Sequence, residues 1–287
     1  MEKFNTKRFA NVLKWDFMNN WKYTLWLFLV MIVVFTCMLG LTYFNSNSDY
    51  MQGVHDTMMS VQASACNFIL SFIVLAGASR MFLPLKDKQS ATALLALPAS
   101  NLEKFLSRIV NIIFLWTALG IIAFLCADAL QMVLAKLLGA KNVVSGTAAF
   151  FDVSKYLRLD FSYWAEGTQM HINLFLIPLL ILTTYMLGSI LFRRRQFWVT
   201  TVIIFAINVI AVIAIANIGT AIEPWLEEHH EQIMDFMLRH FDDPLSLLRF
   251  AIHTAEVIAG ITAVVFTWLT YRLFKRAQVI NNKFLNV

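Results

Sequence analysis

Long runs of apolar, uncharged residues alternate with short polar stretches along this chain. The first run, Tyr23 to Phe44, holds 22 residues without Asp, Glu, Lys or Arg. As a helix it would be about 33 Å long, which is enough to cross a bilayer. The same pattern predicts six membrane-spanning helices, at about 23–44, 57–79, 105–127, 171–192, 197–217 and 250–271. We therefore expect an all-α polytopic membrane protein with a single transmembrane domain over residues 1–287.

Three further helical segments are predicted outside these spans. In residues 4–21, apolar side chains recur at helical spacing opposite basic and polar ones, which is typical of a helix lying in the membrane interface. A merely basic flank to the first span is the alternative. Residues 80–108 contain helical turns between the second and third spans. Residues 218–250 are acidic with helical apolar spacing, and predict an external helix that opens at Pro224.

Charge places the connecting segments on opposite sides of the membrane. The N-terminal segment, the 80–108 loop, the arginines at 193–195 and the C-terminus carry 17 of the 23 Lys and Arg residues. Fourteen of the 18 acidic residues fall elsewhere. Because short loops rich in Lys and Arg stay cytoplasmic, both termini are predicted inside, and the aromatic segment 139–169 outside.

Composition supports the membrane class and excludes others. The chain is 59% hydrophobic and 14% charged, with a mean hydropathy of +0.65, unlike a soluble globular protein. Its net charge of +5 does not indicate nucleic-acid binding, because the basic residues cluster beside span ends. Cys37, Cys66 and Cys126 suggest neither a disulfide framework nor a metal site. Without a cleavable signal pattern, the first span is expected to remain.

The 80–108 loop carries a helix–corner–helix pattern. Pro98 disfavours helix at Leu97 and so should end the turns from Gln89 to Ala96. Ser100, followed three residues later by Glu103, is a capping-box pattern that should start a new helix. The loop is therefore predicted to contain two helical pieces that meet at a corner.

Topology and loop together resemble the permeases of ABC-2 type transporters. Residues 94–108 read LLALPASNLEKFLSR, similar to the LLxLPxSxxEKFLxR run of bacterial permeases of this type. The resemblance implies a coupling helix in the loop that docks in a groove of an ATPase subunit. The residues assigned to that role are Lys86, Asp87, Lys88, Pro98, Ser100 and Glu103. An ordinary capped start to the third span, beside a solvated loop, is the alternative.

The resemblance also implies partners. No G-x-x-x-x-G-K-[ST] phosphate-binding loop occurs, so the ATP-binding cassette ATPase would be a separate subunit, and a second permease copy, identical or related, would complete the pathway. We expect an exporter subunit of the bacterial inner membrane, with no cofactor or catalytic residue of its own. The rival function is a regulatory or scaffolding membrane subunit that transports nothing. The residues leave lipid, peptide, drug and polysaccharide open as substrates.

Two charged sets have both a functional and a plain interpretation. Arg249, His253 and Glu256 share one face of the sixth span, either as a pathway or external gate, or as a locally paired set near the membrane edge. Glu227, His230 and Glu231 have a spacing that can hold a divalent metal. A solvated face of the acidic helix is the favoured interpretation of the second set, so no metal site is predicted.

Overall fold

A computed structural model describes most of the chain. The described residues are 4–44, 52–86, 88–140, 143–151, 158–160, 169–171, 176–192, 195–232, 235–236 and 244–276. Their helices are α1 Thr6–Phe44, α2 Gln52–Ser79, α3 Lys88–Leu95, α4 Asn101–Ile109, α5 Trp116–Leu137, α6 Thr147–Phe151, α7 Leu176–Leu191, α8 Gln196–Glu228 and α9 Pro244–Arg276, and residues 230–232 and 235–236 are also helical. The helical fold class is confirmed.

Four smaller elements are described beside these helices. A 3₁₀ turn, Leu83–Lys86, follows α2, and a π-helical segment, Val110–Leu115, joins α4 to α5. Strands β1 (Arg158–Asp160) and β2 (Gln169–His171) pair antiparallel. Because the π segment breaks no backbone continuity, α4 and α5 belong to one long helix.

Among the described residues, five helices are long and apolar enough to cross a membrane. They cover Thr6–Leu41, Thr57–Leu85, Asn101–Leu137, Gln196–Glu228 and Phe250–Arg276. The fourth predicted span, 171–192, corresponds to the shorter apolar helix Pro178–Leu191 within α7. His171 belongs to β2, and residues 172–175 lie outside the described part of the chain.

The predicted interfacial helix is not separate from the first span, and in this respect the sequence interpretation is wrong. α1 runs through both without a break, over 39 residues and about 58 Å. The reason is local: residues 6–39 contain neither Gly nor Pro, and Lys22, the charge between the two segments, is a good helix former. The N-terminal segment is therefore an extension of the first span.

The predicted helix start at Pro224 is also wrong. α8 continues from the fifth predicted span through Pro224 to Glu228. Pro224 has no N–H to donate to the Thr220 carbonyl, so the helix loses one backbone hydrogen bond. Because the helix is exposed there, surrounding solvent can donate a hydrogen bond to that carbonyl instead. By contrast, α9 is described from Pro244 onward, and a proline in the first turn of a helix leaves no backbone hydrogen bond unmade.

Two apolar cores hold the bundle together. One lies among α1, α2, α5 and α6, where Phe35 meets Phe124 edge-on at 6.1 Å and Phe124 stacks on Phe150. The other gathers residues from the ends of α2, α7 and α9 around α4 and the π segment. The second core therefore positions the 80–108 loop. α8 contributes little to either core, since none of its residues after Thr200 is buried.

A buried carboxylate anchors the segment after α5. Asp128 Oδ2 accepts hydrogen bonds from the hydroxyls of Ser145 and Thr147, each at 2.6 Å. Its Oδ1 accepts from the Gly146 N–H at 2.9 Å and from Gln131 Nε2 at 3.0 Å. These four neutral donors satisfy a carboxylate that is almost fully buried, and they hold the start of α6 against α5.

Candidate functional site

The candidate site is the corner, defined as α3, the turn 96–100 and α4. α3 buries Ala91 and Leu94 and ends at Leu95, three residues before Pro98. Its other face is exposed, and comprises Lys88, Gln89, Thr92, Ala93 and Ala96, with Pro98 and Leu102 beyond it. The predicted two-helix corner is confirmed, and it offers one small open surface.

A complete capping box begins α4. Ser100 has extended backbone geometry (φ −67°, ψ 154°), and its Oγ accepts from the Glu103 N–H at 3.2 Å. In return, Glu103 Oε2 accepts from the Ser100 N–H at 2.9 Å. Two backbone donors that a helix start would leave unpaired are satisfied, which typically contributes about 1 kcal/mol.

Lys104 ties α4 back to α3. Its Nζ donates to the Leu95 carbonyl at 2.7 Å, at the end of α3 where free carbonyls concentrate negative charge. The side chain is almost fully buried, although a lysine in a polar loop suggests exposure. The two helices are therefore fixed relative to each other by a charged hydrogen bond as well as by the turn.

The α1 extension pins the corner through Glu103. Glu103 Oε1 accepts from the Asn5 N–H at 2.8 Å and from Arg8 Nη2 at 2.9 Å. Glu103 has no exposed surface, so it holds the corner and does not touch another molecule directly. Helical spacing in residues 4–21 placed the basic residues opposite the apolar ones, but it did not identify this contact of Arg8, because its partner lies 95 residues away.

A second, deeper ion pair lies further along the same two helices. Arg108 Nη1 and Asp16 Oδ1 are 3.0 Å apart, with side chains 6% and 2% exposed. Asn111 Nδ2, in the π segment, donates to Asp16 Oδ2 at 2.7 Å. Later residues of α1 contact later residues of α4: Arg8 pairs with Glu103, and Asp16 pairs with Arg108. α1 therefore runs parallel to α4.

The signal for this pairing was present in the sequence but incomplete. Arg8, Asp16 and Asn20 recur at multiples of four on one face of α1, and Asn20 Nδ2 donates to the Asp16 carbonyl at 3.0 Å. Helical spacing alone shows that these residues share a face. It does not show which other helix faces them.

An aromatic cluster joins the corner to the end of α9. Phe105 stacks on Phe82 at 6.2 Å and lies 5.3 Å from Tyr271 and 6.2 Å from Phe274, measured between ring centroids. Phe82 and Phe274 are themselves 5.2 Å apart. Ring contacts of this kind contribute about 0.5–1.5 kcal/mol each beyond area burial. The corner is therefore packed against both α1 and α9.

The six residues predicted to couple to an ATPase differ in exposure. Lys88 and Pro98 are exposed, Ser100 is half-buried and Glu103 is buried. Asp87 lies outside the described residues, as does the side chain of Lys86. Their assignment to ATPase coupling stays a prediction, and the geometry separates surface positions from positions that hold the corner in shape.

The other predicted set is far from the corner. His253 Nδ1 lies 3.0 Å from Glu256 Oε2 on α9, with side chains 58% and 13% exposed. The side chain of Arg249 lies outside the described part of the chain. From His253 to Phe274, α9 is about 31 Å long, so the two sets occupy opposite ends of a membrane-length helix.

The three residues considered as metal ligands, Glu227, His230 and Glu231, do not lie on one continuous helix. α8 ends at Glu228, and His229 leaves helical geometry (φ −106°, ψ 15°), which separates Glu227 from His230 and Glu231. Among the residues that the structure describes, no three His, Cys, Asp or Glu side chains converge as metal ligands.

Comparison with protein-family models, curated proteins and solved structures finds no match to this chain.

Proposed function

We propose that this chain is the membrane-spanning subunit of an ABC-2 type exporter in a bacterial inner membrane. It would cross six times with both termini in the cytoplasm, residues 171–192 making the fourth crossing. A separate ATP-binding cassette ATPase would dock on the corner, and a second permease copy would complete the pathway. The proposal rests on the resemblance of residues 94–108 and on the construction of the corner.

The observation that supports the proposal best is that the corner uses its buried side chains for internal contacts and leaves the others exposed. Its buried charges make internal contacts: Glu103 caps α4, Lys104 joins α3 to α4, and Arg108 pairs with Asp16. Its open face presents small and neutral residues, Thr92, Ala93 and Ala96, beside one cation, Lys88. An element held in shape by internal contacts suits docking in a groove of another protein, since its small exposed residues lose little side-chain entropy on contact.

The corner is also placed to pass motion into the membrane. Ion pairs connect α4 to α1, and the aromatic cluster connects it to the end of α9. Because packed interiors are dense and transmit displacement, a shift of α4 would move the first and last spanning helices together. In an exporter, ATP binding would drive such a shift, with the face of Arg249, His253 and Glu256 near the external end.

The proposal also assigns a depth to each part of the long central helix. α5 has 22 residues, about 33 Å, which matches the hydrocarbon thickness. α4 and the π segment would then lie on the cytoplasmic side beside the α1 extension. Glu103, Arg108 and Asp16 would thus avoid the cost of charge within hydrocarbon.

The test is affinity purification of the tagged chain in mild detergent, with mass spectrometry of co-purifying proteins. Ala93→Arg with Ala96→Arg places bulk on the open face without touching a buried residue. Ala221→Arg, at an exposed position of α8, is the matched control. We expect the native chain and the control to retain an ATP-binding cassette subunit, and the corner variant to lose it.

Two results would contradict the proposal. Well-folded native protein that brings down no ATPase would argue for the scaffolding function. So would an ATPase that remains bound to the corner variant, because the docking surface would then lie elsewhere.

A further inference from the structure

The α1 extension has an exposed face opposite the ion pairs. Lys14, Phe17, Met18, Trp21 and Lys22 follow at i, i+3, i+4, i+7 and i+8, so they share one side of the helix. Phe17 is 42% exposed, Met18 60% and Trp21 48%, and both lysines are exposed. We call these five residues the basic-aromatic face.

This face continues into the lipid-facing side of the first span. The next residues on the same side are Leu25 and Leu29, both exposed. On this side Lys22 lies about 12 Å beyond Lys14, and the residues that follow Lys22, Leu25 and Leu29, are apolar. Water, headgroup and hydrocarbon follow one another in the same order, and Trp side chains favour the headgroup level.

The charge of the basic-aromatic face indicates which kind of lipid headgroup it would attract. The only acid in residues 6–22 is Asp16, which is buried and paired with Arg108. The surface of the extension is therefore positive at the level of Trp21. A positive surface with interleaved aromatic side chains is complementary to negatively charged headgroups, whereas zwitterionic headgroups offer no net attraction.

We propose that the basic-aromatic face binds anionic phospholipids in the leaflet at the basic end of α1. Lys14 and Lys22 contact the phosphates, with the stem of Lys14 reaching towards the membrane, while Phe17, Met18 and Trp21 lie among the headgroups. This inference requires only that α1 crosses the bilayer. It is independent of any ATPase or transported substrate.

The test uses purified full-length chain in nanodiscs of equal parts phosphatidylglycerol and phosphatidylcholine, with bromine on the acyl chains of one lipid at a time. Bromine quenches nearby tryptophan, and subtracting the Trp21→Phe variant isolates the Trp21 signal. Each cation near an anionic surface strengthens binding roughly fivefold, so two would enrich phosphatidylglycerol up to about 25-fold. We expect brominated phosphatidylglycerol to quench Trp21 much more strongly than brominated phosphatidylcholine.

Variants separate charge from folding. Lys14→Gln with Lys22→Gln should abolish the difference between the two lipids, whereas Lys14→Arg with Lys22→Arg should keep it. Lys136→Gln, at an exposed position near the far end of α5, is the matched control and should change nothing. Equal quenching by the two lipids in the native chain would overturn the proposal. So would a Trp21 signal that neither lipid quenches, since the face would then lie in water, open to a protein partner.

Discussion

The buried ion pair between Asp16 and Arg108 yields the sharpest prediction. At the 3.0 Å separation of Arg108 Nη1 and Asp16 Oδ1, the Coulomb attraction is about 5.5 kcal/mol for an effective dielectric constant of about 20. Removing both charges from water offsets most of that attraction. Removing one partner is different, because the remaining charge stays buried, which typically costs about 3–5 kcal/mol. Asp16→Leu and Arg108→Met should each lower the free energy of unfolding by about that amount.

The double variant should recover part of the loss. With both charges gone, Asn111 Nδ2 loses its acceptor at 2.7 Å, and Asn20 Nδ2 loses a longer contact at 3.5 Å. An unpaired buried amide costs about 1–3 kcal/mol, so the double variant should be more stable than either single one. The two changes are therefore strongly non-additive, with a coupling energy of several kcal/mol.

The assay is unfolding by sodium dodecyl sulfate in mixed micelles, followed by far-ultraviolet circular dichroism for the four members of the cycle. Lys88→Met, at an exposed cation on α3, is the control and should stay within about 0.5 kcal/mol of the native chain. If the double variant lost as much stability as the two single variants summed, the pair would not be a coupled buried contact. Single variants within about 1 kcal/mol of native would refute the reasoning as well.

Three other contacts make simpler predictions. Ser100→Ala removes the side-chain cap of α4 and should cost about 1 kcal/mol, measured by the same unfolding titration. Asp128→Ala removes the acceptor of four hydrogen bonds, so amide hydrogen exchange should rise in the segment that begins α6. A Cβ on Gly77 would lie 2.7 Å from ring atoms of Trp116, so Gly77→Ala should destabilise the chain. At Gly219 nothing lies within 4 Å, so Gly219→Ala should stabilise it slightly.

Each of these has an outcome that contradicts it. Unchanged stability in the Ser100 variant would mean that the cap is not maintained in solution. Unchanged exchange after the Asp128 substitution would mean that apolar contacts alone hold that segment. Equal effects of the two glycine substitutions would contradict the close approach of α2 to α5 at Trp116.

Sequence reasoning succeeded where the physical cause is local. The end of α3 before Pro98 and the capping box of Ser100 and Glu103 depend on residues within a few positions of one another. It failed at Trp21 to Tyr23, where a change of polarity suggested two helices and α1 is continuous. The polarity of a helix indicates what surrounds it. Breaking a helix requires a residue, such as proline, whose backbone does not fit helical geometry, and none is present there.

The candidate site divides in the same way. The corner was recognisable, but the roles of its charges were not, because Glu103 and Lys104 looked like surface residues of a polar loop. Glu103 contacts the α1 extension and Lys104 contacts the end of α3, and both contacts depend on the tertiary structure. The exposed positions Lys88 and Pro98 could be predicted, since nothing distant covers them.

The amino-acid sequence by itself determined the helical class, five helices that are long and apolar enough to cross a membrane, the capped start of α4 and the corner, because each arises from hydrophobic runs or capping residues that act within a turn or two of helix. Only the tertiary structure decided which charges meet, as with Asp16 and Arg108, and which face of α1 remains exposed. The physical reason is that the free energy of burying a charge depends on its partner. That partner is set by how the helices pack and not by the residues nearby in the chain.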